Sequence, residues 1–226
     1  MLIRSVTRKS SHTSRTTSPN DATLKIYART VDEYIANTPS VYDERHKPLI
    51  RWIDSFIEHI PEGGKVLEIG SATNRDATYM RSKGVNVICS DAVEEFVDNL
   101  KASGEDAITF NPLKDEIDGQ YDAFFANAVL PHFTPEDLEL CLTKIYNVLG
   151  DKGSFAFGLK QGKGKIWILE KISKERYICY WQPKDLYKLI KSIGFGIAYW
   201  ETDVQGSLPS HIWTNVVVTK KNCDNS

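Results

Sequence analysis

The chain has 226 residues, 41% of them hydrophobic, which is enough apolar material for one substantial core. A net charge of −2 speaks against the domain-wide basic surface that duplex nucleic acid requires, and no apolar run reaches the length of about 18 residues that a membrane span needs. The four cysteines, Cys89, Cys141, Cys179 and Cys223, form no C-x-x-C pair, so they read as idle thiols of a reducing, cytoplasmic setting and offer no metal site.

Residues 1–21 are expected to form a disordered basic tail. Up to Asn20 the segment carries Arg4, Arg8, Lys9 and Arg15, many Ser and Thr, and no acid. So little apolar surface cannot offset the entropy of ordering; an organelle transit peptide shares the composition and is the minor alternative. One domain is expected over 22–221, followed by a short tail over 222–226.

Leu49, Trp52, Ile53, Phe56, Ile57 and Ile60 recur at the helical period, and Pro61, Gly63 and Gly64 stop that helix. Val66–Ile69 then reads as a buried strand, with a polar helix following from about residue 73 to Gly84. The unit repeats as strand 85–89, helix 93–101, strand 107–110 and strand 121–126. Pro135 opens a crossover helix with Leu138, Cys141, Leu142, Ile145 and Leu149 on one face. After a fifth strand over 153–159, Leu186, Leu189, Ile190 and Ile193 mark a last helix, and runs 197–202 and 213–219 close the chain as a hairpin. Such alternation predicts an α/β fold: a three-layer α/β/α sandwich around a seven-stranded, mainly parallel sheet with an antiparallel strand at the C-terminal end.

In such sheets a ligand sits outside the carboxyl ends of the strands, near the switch in strand order. The loop Glu68-Ile69-Gly70-Ser71-Ala72-Thr73-Asn74-Arg75-Asp76 has one glycine, small neighbours and, at Asn74, a residue tolerant of left-handed backbone. A diphosphate would call for G-x-G-x-x-G, which is missing, and the acid ending the first strand suits an ammonium group instead. Asp91, at the end of the second strand, is placed to accept hydrogen bonds from both hydroxyls of a ribose, although helix capping is an equal use for it. Gly70 and Asp91 together point to an adenosine ligand.

These segments carry a family resemblance. Val66-Leu-Glu-Ile-Gly-Ser-Ala-Thr-Asn-Arg-Asp-Ala resembles the first motif of class I S-adenosylmethionine-dependent methyltransferases, and Val87-Ile-Cys-Ser-Asp91 their second. Tyr121-Asp-Ala-Phe-Phe-Ala-Asn-Ala-Val-Leu-Pro-His132 is similar to their fourth-strand motif, and Leu149-Gly-Asp-Lys-Gly-Ser-Phe-Ala-Phe157 to their turn into strand five. The resemblance implies a Rossmann-like fold, S-adenosylmethionine as cofactor and methyl transfer as activity. It implies that Glu68 and the backbone of Gly70, Ser71 and Ala72 hold the methionine end, and that Asn74 and Asp76 in the same loop also bind the cofactor. By the same carry-over Asp91 takes the ribose, Ala92, Asn111 and Pro112 lie beside the adenine, and Asn127 faces the methionine portion. Two departures from the pattern are Ala72 and Asn74, where further glycines are frequent, and Asn111, where an acid is frequent.

His132, just past strand four, is the candidate catalytic residue, as a proton acceptor at neutral pH or as an orienting group. The acceptor side is expected from Tyr27 and Tyr34 of an N-terminal helix and from the insertion after strand five. That insertion supplies Lys160, Glu170, Arg176, Tyr177 and Tyr180, and its mixture of cations and aromatics suits a carboxylate- or phosphate-bearing small molecule. The expected activity is methyl transfer to an O or N atom of such a molecule; a protein or RNA target, or a cofactor-binding module without catalysis, are the alternatives.

Overall fold

In the computed structural model, which describes residues 17–43, 46–204 and 212–220, the chain folds around strands whose side chains are apolar on both faces. The basic stretch up to residue 16, the tail over 222–226 and Cys223 lie outside the described residues. In chain order the elements are α1 (Pro19–Ala28), α2 (Val31–Ala36), α3 (Lys47–Ile57), β1 (Lys65–Ile69), α4 (Arg75–Ser82), β2 (Asn86–Asp91), α5 (Glu94–Ala102) and β3 (Ala107–Thr109). They continue with β4 (Ala123–Ala126), a 3₁₀ turn (Leu130–His132), α6 (Pro135–Val148), β5 (Ser154–Lys160), β6 (Lys165–Ile168), β7 (Arg176–Cys179), α7 (Pro183–Ile193), β8 (Phe195–Val204) and β9 (Ile212–Lys220).

Seven strands form one sheet in the order β3-β2-β1-β4-β5-β9-β8. All neighbours run parallel except β9, which is antiparallel to both β5 and β8. The Rossmann-like α/β sandwich expected from the alternating periods is therefore the observed architecture. Period-two alternation decides which face each side chain joins. Leu67, Ile69, Phe124, Phe155 and Phe157 pack under α6 and α7, whereas Val66, Phe125, Ala156 and Val217 pack against the layer containing α3 and α4. Strand order reverses at β1, which pairs with β2 on one side and β4 on the other, and this opens a crevice beyond the carboxyl ends of β1 and β4.

Two features depart from the sequence reading. The single N-terminal helix expected to carry Tyr27 and Tyr34 is two helices. Ser18 caps the first, accepting from the Asp21 N–H at 3.0 Å, and Thr30 ends it by donating its hydroxyl to the Ile26 carbonyl at 2.9 Å. The charged insertion after β5 is a hairpin, β6–β7, forming a separate two-stranded sheet. Its β7 is fastened to α1, because the Tyr177 N–H donates to the Thr23 hydroxyl at 3.2 Å. Helices α1 and α2 and the hairpin thus meet over the crevice.

Phe125 is fully buried between Trp52 and Phe56, with ring centroids at 4.9 and 5.5 Å. Phe125→Ala leaves a cavity that the rigid sheet cannot close, and should lower unfolding free energy by about 3–5 kcal/mol in a denaturant titration.

Candidate functional site

The loop after β1 is held in an unusual backbone state. Gly70 has φ +75°, and a Cβ there would lie 2.3 Å from a Val129 methyl, so β4's loop approaches as closely as it does only because the side chain is missing. Ala72 and Asn74 also have positive φ, 45° and 51°, a costly state for alanine in particular. Asp91 is what holds Ala72: one carboxylate oxygen accepts from the Ala72 N–H at 3.1 Å and the other from the Val93 N–H at 3.0 Å. Ser71 adds a second tie, its hydroxyl accepting from the Ser90 N–H at 3.1 Å. Burial pushes the Asp91 carboxyl up to about 6, and the two N–H groups oppose that rise.

Two cavities lie at this edge. The larger, of about 960 Å³, runs from Gly70, Ser71 and Ala72 past Asp76 and Asn127 to Lys160, Glu170 and Arg176. The smaller, of about 70 Å³, is lined by Asp91, Ala92, Asn111 and Pro112. Tyr27, Tyr34, Gly70, Ala72, Asn127 and His132 line both, so the two are compartments of one trough. Tyr27, Tyr34 and Phe96 stack edge-on or tilted, with centroids 5.4 to 6.4 Å apart. With Ala72 beneath them, they form one apolar cluster over the narrow compartment.

The floor is acidic. Asp76 accepts a paired contact from Arg75 (2.7 and 3.2 Å) and a hydrogen bond from the Asn127 amide at 2.7 Å. Glu68 lies behind the floor, lining neither cavity; burial first, and then the Asp76 charge, push its carboxyl upward. One of its carboxylate oxygens is buried without a hydrogen-bond partner. Glu68 is therefore displaced from the methionine-end role expected of it, and Asp76, which lines the larger cavity, is the acid that a cationic ligand end would meet. Asn111 lines the narrow compartment, and its side-chain oxygen accepts from the Leu113 N–H at 3.0 Å. The residues present therefore fit an adenosyl ligand with a charged amino-acid end.

His132 is buried and bonded through both ring nitrogens. Nδ1 lies 2.7 Å from the Tyr177 carbonyl, which can only accept, so Nδ1 carries the proton and Nε2 accepts from the Tyr27 hydroxyl at 2.9 Å. Arg176 Nη1 donates in turn to Tyr27 Oη at 2.7 Å, and Nη2 to the Glu170 carbonyl. Burial, assisted by the Arg176 and Lys160 charges, brings His132 down to about 4. Of the two roles expected for this histidine, the arrangement supports orientation: the ring is neutral at pH 7 and its accepting nitrogen is engaged.

The hairpin corrects the acceptor side. Arg176 and Ile178 line the larger cavity, so strand alternation turns Tyr177 to the opposite face, where its ring packs on Trp167 at 5.8 Å. Tyr177 reaches the site through its carbonyl alone. Tyr180 likewise lines neither cavity and packs against Gly162. Asn74 is also displaced from the expected role, its amide donating to Glu105 at 2.6 Å outside the trough. Two residues that the sequence reading left out of the site line it: Arg75, adjacent to the expected Asp76, and Lys171, one cation within a charge run that reads as a surface face.

The histidine yields a pH test. Its folded value near 4 lies below the ordinary 6.5, so the unfolded chain takes up the proton first. The stabilisation is complete above about pH 6.5 and is lost as pH falls towards 4, by about 3 kcal/mol in total. Between those values the melting temperature of the wild-type protein should fall relative to His132→Gln, a comparison in which the upward-shifted Glu68 and Asp91 cancel.

The family model described as a methyltransferase domain matches residues 67–157, from within β1 to within β5. No curated protein matches the chain. Solved structures do. The 1,6-didemethyltoxoflavin N1-methyltransferase of Burkholderia thailandensis, with bound 1,6-didemethyltoxoflavin and S-adenosylhomocysteine, is 17% identical with a TM-score of 0.68, over 92% of this chain and 93% of that one. Magnesium protoporphyrin IX methyltransferase of Synechocystis, with bound S-adenosylmethionine, is 13% identical with a TM-score of 0.68, over 92% and 100%. The CcbJ methyltransferase of Streptomyces caelestis is 17% identical with a TM-score of 0.63, over 87% and 96%. At these identities the likeness is one of fold. Residues 67–157 thus match a methyltransferase domain, and the chain has the fold of solved S-adenosylmethionine-dependent methyltransferases.

Proposed function

We propose that the protein methylates an oxygen or nitrogen atom of a small molecule. The observation that carries this reading is the two-compartment trough at the β1–β4 switch. Its narrow part ends on Asp91, and its wide part, about 960 Å³, has the size of a small-molecule site. The solved methyltransferases from Burkholderia thailandensis and Synechocystis, whose names give small-molecule acceptors, support it.

On this reading Asp91 would hold the ribose hydroxyls with the lone pairs its two backbone contacts leave free. Ala92 and Pro112 would flank the adenine and Asn111 would meet its edge. Asp76 would face the ammonium, and Arg75, paired to it, is placed for the carboxylate. When bound, the cofactor supplies a sulfonium whose methyl carbon is already electrophilic. What remains for the chain is orientation and exclusion of water, and orientation alone is worth up to about 7–11 kcal/mol. Tyr27 and Tyr34 roof the trough, with Tyr27 fixed from both sides by His132 and Arg176. A strong general base is not required of the protein, in keeping with a neutral, fully bonded His132.

Calorimetric titration with S-adenosylmethionine and S-adenosylhomocysteine tests the proposal. Both should bind the wild-type chain, and Asp91→Ala should weaken binding by about 1–3 kcal/mol through lost charge-assisted hydrogen bonds. If neither compound binds the folded protein at millimolar concentration, the proposal is lost. If Asp91→Ala, shown to be folded by circular dichroism, binds as tightly as the wild type, the ribose assignment is lost.

A further inference from the structure

Four cations line the larger cavity: Arg75, Lys160, Lys171 and Arg176. Two are matched by acids of the protein, Arg75 by Asp76 at 2.7 Å and Lys160 by Glu170 at 2.6 Å. Arg176 differs. Its two terminal nitrogens meet neutral oxygens, the Tyr27 hydroxyl and the Glu170 carbonyl, and its Nε–H is buried with no hydrogen-bond partner. Lys171 differs as well. Its ammonium stands 3.4 Å from the centroid of the Tyr34 ring, and among the described residues it has no ion pair. Glu33, another acid of the cavity wall, takes the Ser173 hydroxyl at 2.8 Å.

These two cations sit on the same hairpin and are held in place. Lys171 has φ 65°, a left-handed state that a lysine rarely adopts, and its carbonyl accepts from the Asn37 amide at 2.9 Å. Arg176 is anchored through Tyr27 to His132. Burial first, and then the positive charges of Arg75 and Arg176, bring Lys171 down to about 7 against the smaller opposing effect of Asp76. An ammonium and a buried, unpaired guanidinium N–H on one wall of a cavity form an incomplete site for an oxyanion.

We propose that Lys171 and Arg176 are an oxyanion subsite that receives a carboxylate or phosphate group of the methyl acceptor. This rests on the methyltransferase reading of the trough and adds the charge class of the substrate. The acceptor's anion lies against the hairpin, and its reacting atom is thereby directed towards the sheet edge and Gly70. Arg75, joined to Asp76 in the β1 loop, is left for the cofactor's own carboxylate, so the two anions are held by different elements.

The test is calorimetric titration of the full chain with inorganic phosphate and with acetate, with and without saturating S-adenosylhomocysteine. The wild type should bind at least one of the two anions. Lys171→Met should weaken that binding by at least about tenfold. Lys171→Arg should retain it, and both variants should keep their affinity for S-adenosylhomocysteine. Tighter binding of phosphate identifies a phosphoryl acceptor, and tighter binding of acetate a carboxylate. The subsite is refuted if neither anion binds the wild type, or if Lys171→Met binds as the wild type does. It is refuted too if affinity for S-adenosylhomocysteine falls in step with that for the anion, which would hand the lysine to the cofactor. Failure of the wild type to bind S-adenosylhomocysteine sinks the methyltransferase reading instead, and titration of the chain alone still decides the anion site.

Discussion

One buried hydroxyl joins the three parts of the site. Tyr27 Oη, on α1, donates to His132 beyond β4 and accepts from Arg176 on β7. The sheet places its loops by backbone pairing alone, but the roof over them has no such ladder. It is held by side-chain bonds among elements far apart in sequence: this hydroxyl, the Tyr177 N–H on Thr23, and the Asn37 amide on the Lys171 carbonyl. Because an unmade buried hydrogen bond costs more than a made one contributes, these bonds select one closed arrangement of α1, α2 and the hairpin. The neutral state of His132 belongs to the same arrangement. A protonated ring would present a second donor to the Tyr27 hydroxyl, which already receives Arg176.

The trough is electrically polarised. Asp76 and Asp91 belong to the sheet side, and Lys171 and Arg176 to the hairpin side. Each charge near the sheet is tied down within its own loop region: Asp91 by two backbone N–H groups, Asp76 by Arg75 and Asn127. Preorganised dipoles of this kind need little rearrangement when a ligand arrives, which is how a buried site orients a reaction without a strong acid or base. A ligand with a cationic amino-acid end and a partner with an anionic end would face opposite walls.

Much of the site could be read from local sequence. Gly70, Ser71, Ala72, Asp76, Asp91, Ala92, Asn111, Pro112 and Asn127 all lie at the carboxyl edge of the sheet, since the loop that leaves a buried parallel strand, and the first turn of the helix after it, can only lie there. The weaker readings share a cause. Composition groups Tyr177 with Arg176, yet position along β7, not composition, decides which face a side chain joins, and Tyr180 lies past the end of that strand. Asn74 suits its left-handed backbone, but its side chain follows Glu105. Lys171 looks like one of many surface lysines until the hairpin folds it onto Tyr34.

The sequence by itself determined the chain order of the seven strands of the main sheet with their crossover helices, and most of the loop residues of the crevice. Those features depend on periodicity and on neighbours a few positions away, and such information is complete within a short window. Only the tertiary structure decided that His132 is neutral, that Tyr27 is its donor and that, among the described residues, Lys171 and Arg176 have no ion pair. Each of these depends on burial and on partners brought from other elements, and the desolvation of a charge has no local signature in a chain.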